Sequence, residues 1–178
     1  MEYMKKLIIY FHGYGSSQNS DKATRLRQDV DFNVYAFNID IDPDVAKKHL
    51  IDCIDMALID DLEAPEELVF VGTSLGAWWA SKMAALYDCK AVLINPSVDP
   101  ANSLLKYGVP KEICDKYSTF APALTHKYFF AETDEVINNV FFRDTLKDVG
   151  FDVEIVKDSD HSFRGDPFEK VVKYLKTF

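Results

Sequence analysis

Short apolar runs and longer amphipathic stretches alternate along this chain of 178 residues. Continuous apolar runs are typical of parallel strands buried on both faces, and apolar residues at helical spacing indicate amphipathic helices. The pattern predicts strands at 6–11, 33–39, 67–71, 91–96, 127–131 and 151–156. It predicts helices at 19–30, 42–62, 75–87, 136–149 and from 166 onward. Because strands that alternate with helices form parallel sheets, we expect an α/β fold with a doubly wound, mainly parallel six-stranded sheet flanked by helices.

Residues 98–125 interrupt this alternation. The segment contains Asp99-Pro100, Gly108-Val109-Pro110 and Ala121-Pro122, separated by fragments that look like short helices. An irregular excursion at the carboxyl edge of a parallel sheet is a candidate substrate lid. A degenerate crossover helix fits the same pattern, and both interpretations stay open. We expect a single domain over 1–178, with 98–125 as a possible lid or insert.

The composition excludes several classes of protein. The formal net charge is −9 and is spread along the chain, so a nucleic-acid partner, which needs a basic patch, is not expected. No stretch approaches the ~20 apolar residues of a membrane span, and the first residues lack a signal-peptide pattern. The three cysteines are widely spaced and odd in number, without metal-ligand spacing. We therefore expect a cytoplasmic protein with no metal or cofactor, and the oligomeric state stays open.

The segment Gly72-Thr73-Ser74-Leu75-Gly76 carries the clearest chemical signal. It lies between the apolar run 68–71 and a predicted helix. A serine on a sharp turn from strand to helix is the context of the nucleophile elbow, G-x-S-x-G. Strand and helix approach closely there, so only small residues fit two positions before and two after the serine. A purely structural turn matches the pentapeptide as well, and the other groups of a catalytic site must come from elsewhere in the chain.

An acid and a histidine follow two later strands. In a sheet of this kind, ligands bind beyond the carboxyl ends of the strands. Ser74 follows the third predicted strand, Asp134 the fifth and His161 the sixth. Serine, acid, histidine is the chain order of an α/β-hydrolase triad. His161 would exchange a proton with Ser74, and Asp134 would orient the imidazole ring.

Other interpretations of these residues are open. Taken alone, His161 fits a surface loop and Asp134 fits a helix cap. His12, after the first strand, is expected to bond within its own loop. The rivals for the triad acid are Asp99, which follows the fourth strand, and the weaker candidates Asp158, Asp160 and Glu132. The coincidence of several features at one sheet edge, in the expected order, favours the catalytic interpretation.

Stabilisation of a tetrahedral oxyanion needs backbone N–H donors. The N–H of Leu75, directly after the nucleophile, is one predicted donor, and the N–H of Tyr14, in the loop after the first strand, is the second. The side chain of Tyr14, together with Trp78 and Phe163, is a candidate for lining the substrate pocket. Trp78 lies in a predicted helix, so a place in the hydrophobic core is the alternative for it.

Several segments together resemble the YqiA/UPF0227 type of small bacterial esterases in the α/β-hydrolase superfamily. They are 9–17, 72–80, 95–97, 133–136 and 161–163. The resemblance covers nearly the full chain. It implies a reduced α/β-hydrolase fold, esterase or thioesterase activity on acyl esters, and a triad of Ser74, Asp134 and His161. Thr133 stands where many relatives have glycine and Gln18 where they have proline, but neither change removes a catalytic group.

These observations predict a serine hydrolase that cleaves a small-molecule carboxylic ester or thioester through an acyl-enzyme on Ser74. Acyl transfer to an acceptor other than water, and hydrolysis of an amide or a carbon–carbon bond, would use the same groups. A binding protein without catalysis, using the same pocket, is the alternative from a different class.

Overall fold

The strands lie in one parallel sheet. The structure, a computed structural model, describes residues 6–60 and 65–178. The strands are β1 (Lys6–Phe11), β2 (Asn33–Ala36), β3 (Glu67–Thr73), β4 (Lys90–Ile94), β5 (Lys127–Ala131) and β6 (Asp152–Val156). Their order is β2-β1-β3-β4-β5-β6, and each neighbouring pair is parallel. The predicted doubly wound α/β sheet is therefore confirmed.

Helices cover both faces of this sheet. They are α1 (Asp21–Asp29), α2 (Pro43–Asp60), α3 (Leu75–Tyr87), α4 (Pro100–Leu105), α5 (Lys111–Cys114), α6 (Val140–Asp148) and α7 (Asp166–Leu175). Successive side chains of a strand point to opposite faces. On one face Ile9 belongs to the same buried cluster as Leu50 of α2, and on the other Ile8 clusters with Val171 of α7. The predicted end of α2, at Leu62, lies outside the described residues.

β1 lies at the switch point of the sheet. The chain passes from β1 to its neighbour β2 and then crosses to β3, on the opposite side of β1. Connections that leave two adjacent strands in opposite directions open a crevice at their carboxyl ends, where ligands bind. Gly13 follows β1 at this edge, and Ser74 follows β3. The topology thus places the loop after β1 beside the predicted nucleophile.

Some elements begin or end at residues other than the predicted ones. β2 ends at Ala36 rather than at 39. β4 ends at Ile94 rather than at 96, because Asn95 adopts a φ of 44° and turns the chain out of the strand. α6 begins at Val140 rather than at 136, because residues 134–139 first form a hydrogen-bonded turn. All of these changes lie at the carboxyl edge of the sheet, where the site is.

The segment 98–125 connects β4 to β5 and contains the short helices α4 and α5. Side-chain hydrogen bonds attach it to the rest of the fold. The Tyr117 hydroxyl donates to the carbonyl of Ile41 (2.8 Å), and Trp78 Nε1 donates to the carbonyl of Ser118 (2.9 Å). The segment is a partly helical crossover beside the site, and its movement as a lid stays a prediction.

Two further predictions concern the whole chain. In the part that the structure describes, no helix has both the length and the apolarity needed to cross a bilayer. Residues 1–5, to which the expectation about a signal peptide refers, lie outside that part. The assignment of 1–178 to a single domain stays a prediction.

Candidate active site

Ser74 occupies a strained turn between β3 and α3. Its φ is 56° and its ψ is −120°, a conformation that residues other than glycine rarely adopt. Backbone hydrogen bonds hold it: the N–H of Ser74 donates to the carbonyl of Ile94 (2.9 Å), and its carbonyl accepts from the N–H of Ser97 (3.1 Å). The position of Ser74 is therefore fixed by hydrogen bonds to the end of the neighbouring strand β4 and to the residues just after it.

Two glycines make the close approach of β3 and α3 possible. A Cβ atom on Gly76 would overlap the carbonyl oxygen of Phe11 and would lie 2.5 Å from that of His12. A Cβ atom on Gly72 would lie 2.6 Å from the Cα of Ala77. Any larger residue at either position would push the helix away from the sheet. The spacing of these glycines is thus a steric requirement of the turn.

His161 links Ser74 to Asp134 by hydrogen bonds. Its Nε2 lies 3.1 Å from Ser74 Oγ, and its Nδ1 lies 2.9 and 2.8 Å from the two carboxylate oxygens of Asp134. Because Nδ1–H donates to the carboxylate, Nε2 is left to accept the serine proton. The loops after β3, β5 and β6 therefore bring together the three residues that the sequence singles out.

Asp134 has two structural partners besides His161. Its Oδ1 accepts hydrogen bonds from the backbone N–H groups of Val136 (3.0 Å) and Ile137 (2.7 Å). These bonds form the turn that precedes α6 and fix the carboxylate relative to the backbone. The capping role and the orienting role, which the sequence presented as alternatives, are compatible in one side chain.

The rival acids contact other groups. Asp99 caps α4, where Oδ1 accepts from the N–H of Asn102 (3.3 Å). Asp160 Oδ1 accepts from the N–H of Phe163 (3.2 Å). Glu132 Oε2 accepts from the N–H of Asp158 (3.0 Å), so these two rivals bond to each other. Asp99, Asp160 and Glu132 support loops at the sheet edge through their carboxylates, and the ring of His161 bonds to Asp134.

Asn95 belongs to this site, although the sequence analysis assigns it no role there. It is 1% exposed, and its Oδ1 accepts from the N–H of Ala131 (2.7 Å) while its Nδ2 donates to the carbonyl of His161 (3.1 Å). Glu135 holds the same histidine from the other side, since its Oε2 accepts the His161 N–H (3.3 Å). A polar residue directly after an apolar strand, followed by Pro96, was the available signal for Asn95.

The predicted oxyanion donors have no partner in the described residues. Leu75 is the first residue of α3, so its N–H has no intrahelical acceptor, and neither Leu75 nor Tyr14 donates its N–H elsewhere within 6–60 and 65–178. A Cβ atom built on Gly13 would lie 3.4 Å from the Cβ of Ser74, so the loop after β1 is directly beside the serine. The arrangement leaves both N–H groups available to a ligand.

His12 joins two loops. Its Nε2 accepts from the N–H of Ile39 (3.2 Å), so Nδ1 carries the proton and donates to the carbonyl of Gly13 (2.9 Å). Burial lowers the pKa of His12, which favours this neutral form. The expected bond within its own loop is present, and the bond to Ile39 adds a connection to the segment after β2. His12 therefore has a structural role, because it links the loop that contains Tyr14 to the segment after β2.

Two cavities meet at Ser74 and His161, and both are bordered by Tyr14. The larger, which we call the Lys22 cavity, has a volume of about 550 Å³. Its lining includes Tyr10, Lys22, Arg25, Phe163, Arg164 and Phe168. The smaller, which we call the Tyr107 cavity, has a volume of about 240 Å³. Its lining includes Leu75, Ser97, Leu104, Tyr107, Val136 and Ile137. A ligand bonded to Ser74 can therefore extend in two directions.

The aromatic pocket candidates have different surroundings. Tyr14 is 46% exposed and packs against Tyr107, with ring centroids 5.7 Å apart, and Phe163 lines the Lys22 cavity. Trp78 does not line either cavity at Ser74, and the prediction that it does is wrong. Its ring packs edge-on against Trp79 and Tyr117 in the core cluster. Trp78 is buried between α3 and the segment 98–125, and a place in the hydrophobic core is the alternative that the sequence left open.

No metal centre is formed by the described residues. Within 6–60 and 65–178, no group of three or more His, Cys, Asp or Glu side chains is placed to hold a metal ion. At the site itself, both ring nitrogens of His161 and both carboxylate oxygens of Asp134 have hydrogen-bond partners. The arrangement is suited to proton transfer between side chains.

Comparison with known sequences decides the family. A family model described as "Uncharacterised protein family (UPF0227)" matches residues 7–113. This is a UPF0227 protein. A UPF0227 protein of Shewanella baltica (strain OS195) is 31% identical over 145 residues, which are 75% of this chain and 78% of the relative. The UPF0227 protein YcfP of Escherichia coli O139:H28 is 26% identical over 184 residues, which are 96% of this chain and 99% of YcfP. The resemblance drawn from the sequence is confirmed.

Comparison with solved structures confirms the fold of this UPF0227 protein. Est1E from Butyrivibrio proteoclasticus has a TM-score of 0.73 at 12% identity, covering 99% of this chain and 88% of Est1E. An esterase from Pyrococcus furiosus has a TM-score of 0.69 at 18% identity, covering 97% and 81%. Mouse alpha/beta hydrolase domain-containing protein 10 has a TM-score of 0.65 at 14% identity, covering 96% and 88%. The UPF0227 chain therefore has the α/β-hydrolase fold.

Proposed function

We propose that this UPF0227 protein is a serine hydrolase that cleaves carboxylic esters or thioesters, with Ser74 as nucleophile. The observation that carries the proposal is the unbroken hydrogen-bonded series from Ser74 Oγ through the ring of His161 to the carboxylate of Asp134. A serine hydroxyl is a weak nucleophile until an adjacent base accepts its proton, and this geometry provides the base and the group that orients it.

In the proposed reaction, Ser74 Oγ attacks the ester carbonyl carbon while His161 Nε2 takes the hydroxyl proton. The tetrahedral intermediate collapses, the bond to the alcohol or thiol breaks, and His161 returns the proton to that leaving group. Water then enters and gives a proton to His161, and its oxygen attacks the acyl carbon. The bond to Ser74 Oγ breaks, the acid leaves, and the proton returns to the serine.

The negative charge that develops on the carbonyl oxygen is stabilised by the N–H groups of Leu75 and Tyr14 in this proposal. Their freedom from other partners within the described residues and the position of the β1 loop beside Ser74 support it. Loss of one such donor typically lowers kcat by about 10²–10³. Because these donors are backbone groups, the side chain of Tyr14 is not needed for this stabilisation, and it lines the two cavities instead.

The structural neighbours support the same reaction class by analogy. The Pyrococcus furiosus protein is an esterase, and Est1E has also been solved with ferulic acid bound. At identities below 20% these likenesses establish the fold, so the local geometry at Ser74 carries the argument for activity.

The decisive test is covalent labelling with a fluorophosphonate, followed by intact-mass analysis and peptide mapping. We expect one adduct, on Ser74, which is lost in Ser74→Ala and in His161→Ala. Ser16→Ala, which changes another serine of the Lys22 cavity, is the matched control and should label normally. A panel of acyl esters and thioesters, with products identified, then tests hydrolysis.

Two results would contradict the proposal. Folded protein without an adduct and without hydrolysis would favour a binding protein that uses the same pocket. An adduct on Ser74 together with transfer of the acyl group to an acceptor other than water, or cleavage of amides or carbon–carbon bonds alone, would place the activated serine in another reaction.

A further inference from the structure

The Lys22 cavity is cationic in a protein whose formal net charge is −9. Its lining includes Lys22 and Arg25 from α1 and Arg164 from the loop before α7, whereas Asp21 is its acidic residue. The same cavity opens onto Ser74 and His161. Positive charge is thus gathered at the site against the overall acidity of the chain. The question is which of these cations is free to bind a ligand.

Arg25 is already neutralised. Its Nη2 lies 2.7 Å from Glu169 Oε2 and its Nε lies 3.3 Å from Asp29 Oδ2. Its Nη1 also donates to the carbonyl of Gly165 (3.0 Å). These contacts tie α1 to the start of α7. Arg25 therefore builds the wall of the cavity and has little charge left for a ligand.

Lys22 has no carboxylate partner among the described residues. Its Nζ donates to the carbonyl of Ser162 (2.5 Å) and lies 5.8 Å from the ring centroid of Phe168, while the side chain is half-buried. Burial and the nearby Arg164 lower the pKa of Lys22 to about 8, against the opposite influence of Asp21 and Asp160. An ammonium group that is partly desolvated without a counter-ion costs free energy, which an anionic ligand would recover.

Arg164 is a second unpaired cation. It lines the Lys22 cavity and makes no ion pair or side-chain hydrogen bond within the part of the chain that the structure describes. It also lines a neighbouring cavity of about 390 Å³, together with Glu132, Asp158 and Asp160. Glu132 and Asp160 accept backbone N–H bonds, Asp158 is exposed, and none of the three forms an ion pair with Arg164. Arg164 therefore lies between the two cavities and has no ion-pair partner of its own within the described residues.

The Tyr107 cavity has the opposite character. Its lining combines Leu75, Leu104, Tyr107, Val136 and Ile137, with the exposed Lys106 as a charged member. Apolar surface of this kind suits a hydrocarbon part of a substrate. Since both cavities border Ser74, a scissile carbonyl placed there has an apolar environment on one side and a cationic one on the other.

We propose that the substrate is an ester or thioester carrying an anionic group, a carboxylate or a phosphate, that Lys22 and Arg164 bind in the Lys22 cavity while an apolar part fills the Tyr107 cavity. This inference rests on the proposed function for the position of the scissile bond. Lys22 and Arg164 are specificity-determining residues in it, and they take no part in the covalent steps.

Matched ester pairs test the preference. The first pair is 4-(octanoyloxy)benzoate and 4-(octanoyloxy)benzamide, which differ in a charge on the leaving group. The second is the 4-nitrophenyl monoester of suberic acid and the same ester with its free carboxylate converted to the carboxamide, which differ in a charge on the acyl group. Each kcat/KM is divided by the uncatalysed rate. We expect the charged member of at least one pair to react about 10-fold faster, about 1.4 kcal/mol.

Three variants assign that preference to residues. Lys22→Met and Arg164→Gln should each reduce the ratio of charged to neutral kcat/KM severalfold toward one. Lys47→Gln, which removes an exposed charge on α2, is the matched control and should leave the ratio unchanged. Arg164 is exposed, so its variant folds even if loss of the Lys22 bond to Ser162 disturbs the loop. Ratios near one for both pairs in the unaltered protein would overturn the inference while leaving the proposed function intact.

The pH dependence of the ratio gives a separate readout. The groups that face Lys22 are Asp21, Asp160, Arg25 and Arg164. Because the pKa of Lys22 is lowered to about 8, its charge is present below that pH and is lost above it. The preference should therefore fall between pH 7 and pH 9, and it should be flat over this range in Lys22→Met. Any effect of pH on the protonation of His161 changes kcat/KM of the charged and the neutral ester alike, so it cancels in their ratio.

Binding measured without turnover separates this inference from the proposed function. In Ser74→Ala, calorimetry compares 4-(octanoylamino)benzoate, which lacks the ester bond, with 4-(octanoylamino)benzamide. We expect the carboxylate to bind about 10-fold more tightly and the difference to shrink severalfold when Lys22→Met is added, because Arg164 is still present. Equal affinity for the two compounds would overturn the anion site whether or not Ser74 is a nucleophile.

Discussion

At the scale of single residues, several side chains at this site each make two kinds of contact. Asp134 accepts two backbone N–H groups of its turn and also the Nδ1–H of His161. Asn95 connects the end of β5 to the loop of His161. Such residues hold the loop and the reacting groups in one geometry, so their substitution should change catalysis and stability to different degrees.

The variant Asp134→Asn should lower kcat by about 10³–10⁴ with little change in stability. The amide oxygen can still accept from the N–H groups of Val136 and Ile137, but the amide nitrogen would donate to His161 Nδ1 and move the ring proton to Nε2. Steady-state kinetics on an acyl ester and urea unfolding measure the two effects. Asp99→Asn is the matched control, and an equal loss of kcat in that variant would contradict the assignment of the orienting acid.

The pair Asn95→Gly and Asn95→Ala separates side-chain bonds from backbone strain. Asn95→Gly keeps the φ of 44° without strain but loses both side-chain hydrogen bonds, so the free energy of unfolding should fall by about 1–3 kcal/mol. Asn95→Ala should lose about 1 kcal/mol more. In both, kcat should fall while KM is nearly constant, because the loop of His161 is released. Unchanged stability in Asn95→Gly would show that these bonds are dispensable.

At the scale of elements, the apolar pattern predicts the order and type of the strands because a parallel strand buried on both faces is a continuous apolar run. It also predicts that Ser74, Asp134 and His161 share an edge, since each directly follows a strand. It misplaces the ends of β4 and α6, because those ends are set by long-range side-chain bonds of Asn95 and by the turn at Asp134. Periodicity carries no information about such bonds.

The same limit applies to cavities. Lys22 lies on the polar side of α1, where a lysine in a sequence is most simply a solvated residue. Its half-buried position follows from the packing of α1 against α7, through Arg25 and Phe168. The prediction for Trp78 is wrong in the opposite direction. Its place close to Ser74 in the chain suggested a cavity wall, but the side chain is buried in the core. Both outcomes depend on contacts between elements distant in sequence.

The elbow predicts a difference between two glycine substitutions. Gly76→Ala places a methyl group against the carbonyl groups of Phe11 and His12, so the loss of stability should exceed the 1–3 kcal/mol typical of overpacking. Gly108→Ala meets no atom within 4 Å and carries only the strain of its φ of 79°, about 1 kcal/mol. Urea unfolding of both variants measures the difference. Similar losses would mean that α3 can move away from β1 at little cost.

At the scale of the whole molecule, buried histidines couple stability to pH. Burial lowers the pKa of His126, which is 4% exposed and lies directly before β5, far along the chain from His161. Above the pKa of about 6.5 that a histidine has in the unfolded chain, the imidazole of His126 is neutral in the folded and the unfolded state. In that range it does not make the free energy of unfolding depend on pH. As the pH falls below that value, the unfolded state binds the proton first, and stability is lost.

The variant His126→Gln should therefore lose less of its free energy of unfolding between pH 7 and pH 5 than the unaltered protein does. The difference between the two proteins reflects the binding of one proton to His126 in the unfolded state. The kinetics of acyl-ester hydrolysis at pH 7 should be the same for both. Urea titrations at both pH values measure it. His49→Gln, at an exposed position on α2, is the matched control, and an equal change in that variant would assign the effect to surface charge.

The strand order also has a consequence in time. Ser74 and His161 are 87 positions apart, and Asn95, Asp134 and the base all follow the serine in the chain. A ribosome adds about 5–20 residues per second, so several seconds separate synthesis of the serine from synthesis of its partner. During that interval the nascent chain contains the turn of Ser74 but lacks Asp134 and His161, because strands β5 and β6, which these two residues follow, have not been synthesised. In the proposed mechanism, Ser74 becomes nucleophilic only after β6 joins the sheet and brings His161 beside it. A nascent chain that lacks β6 should therefore not react with acyl esters.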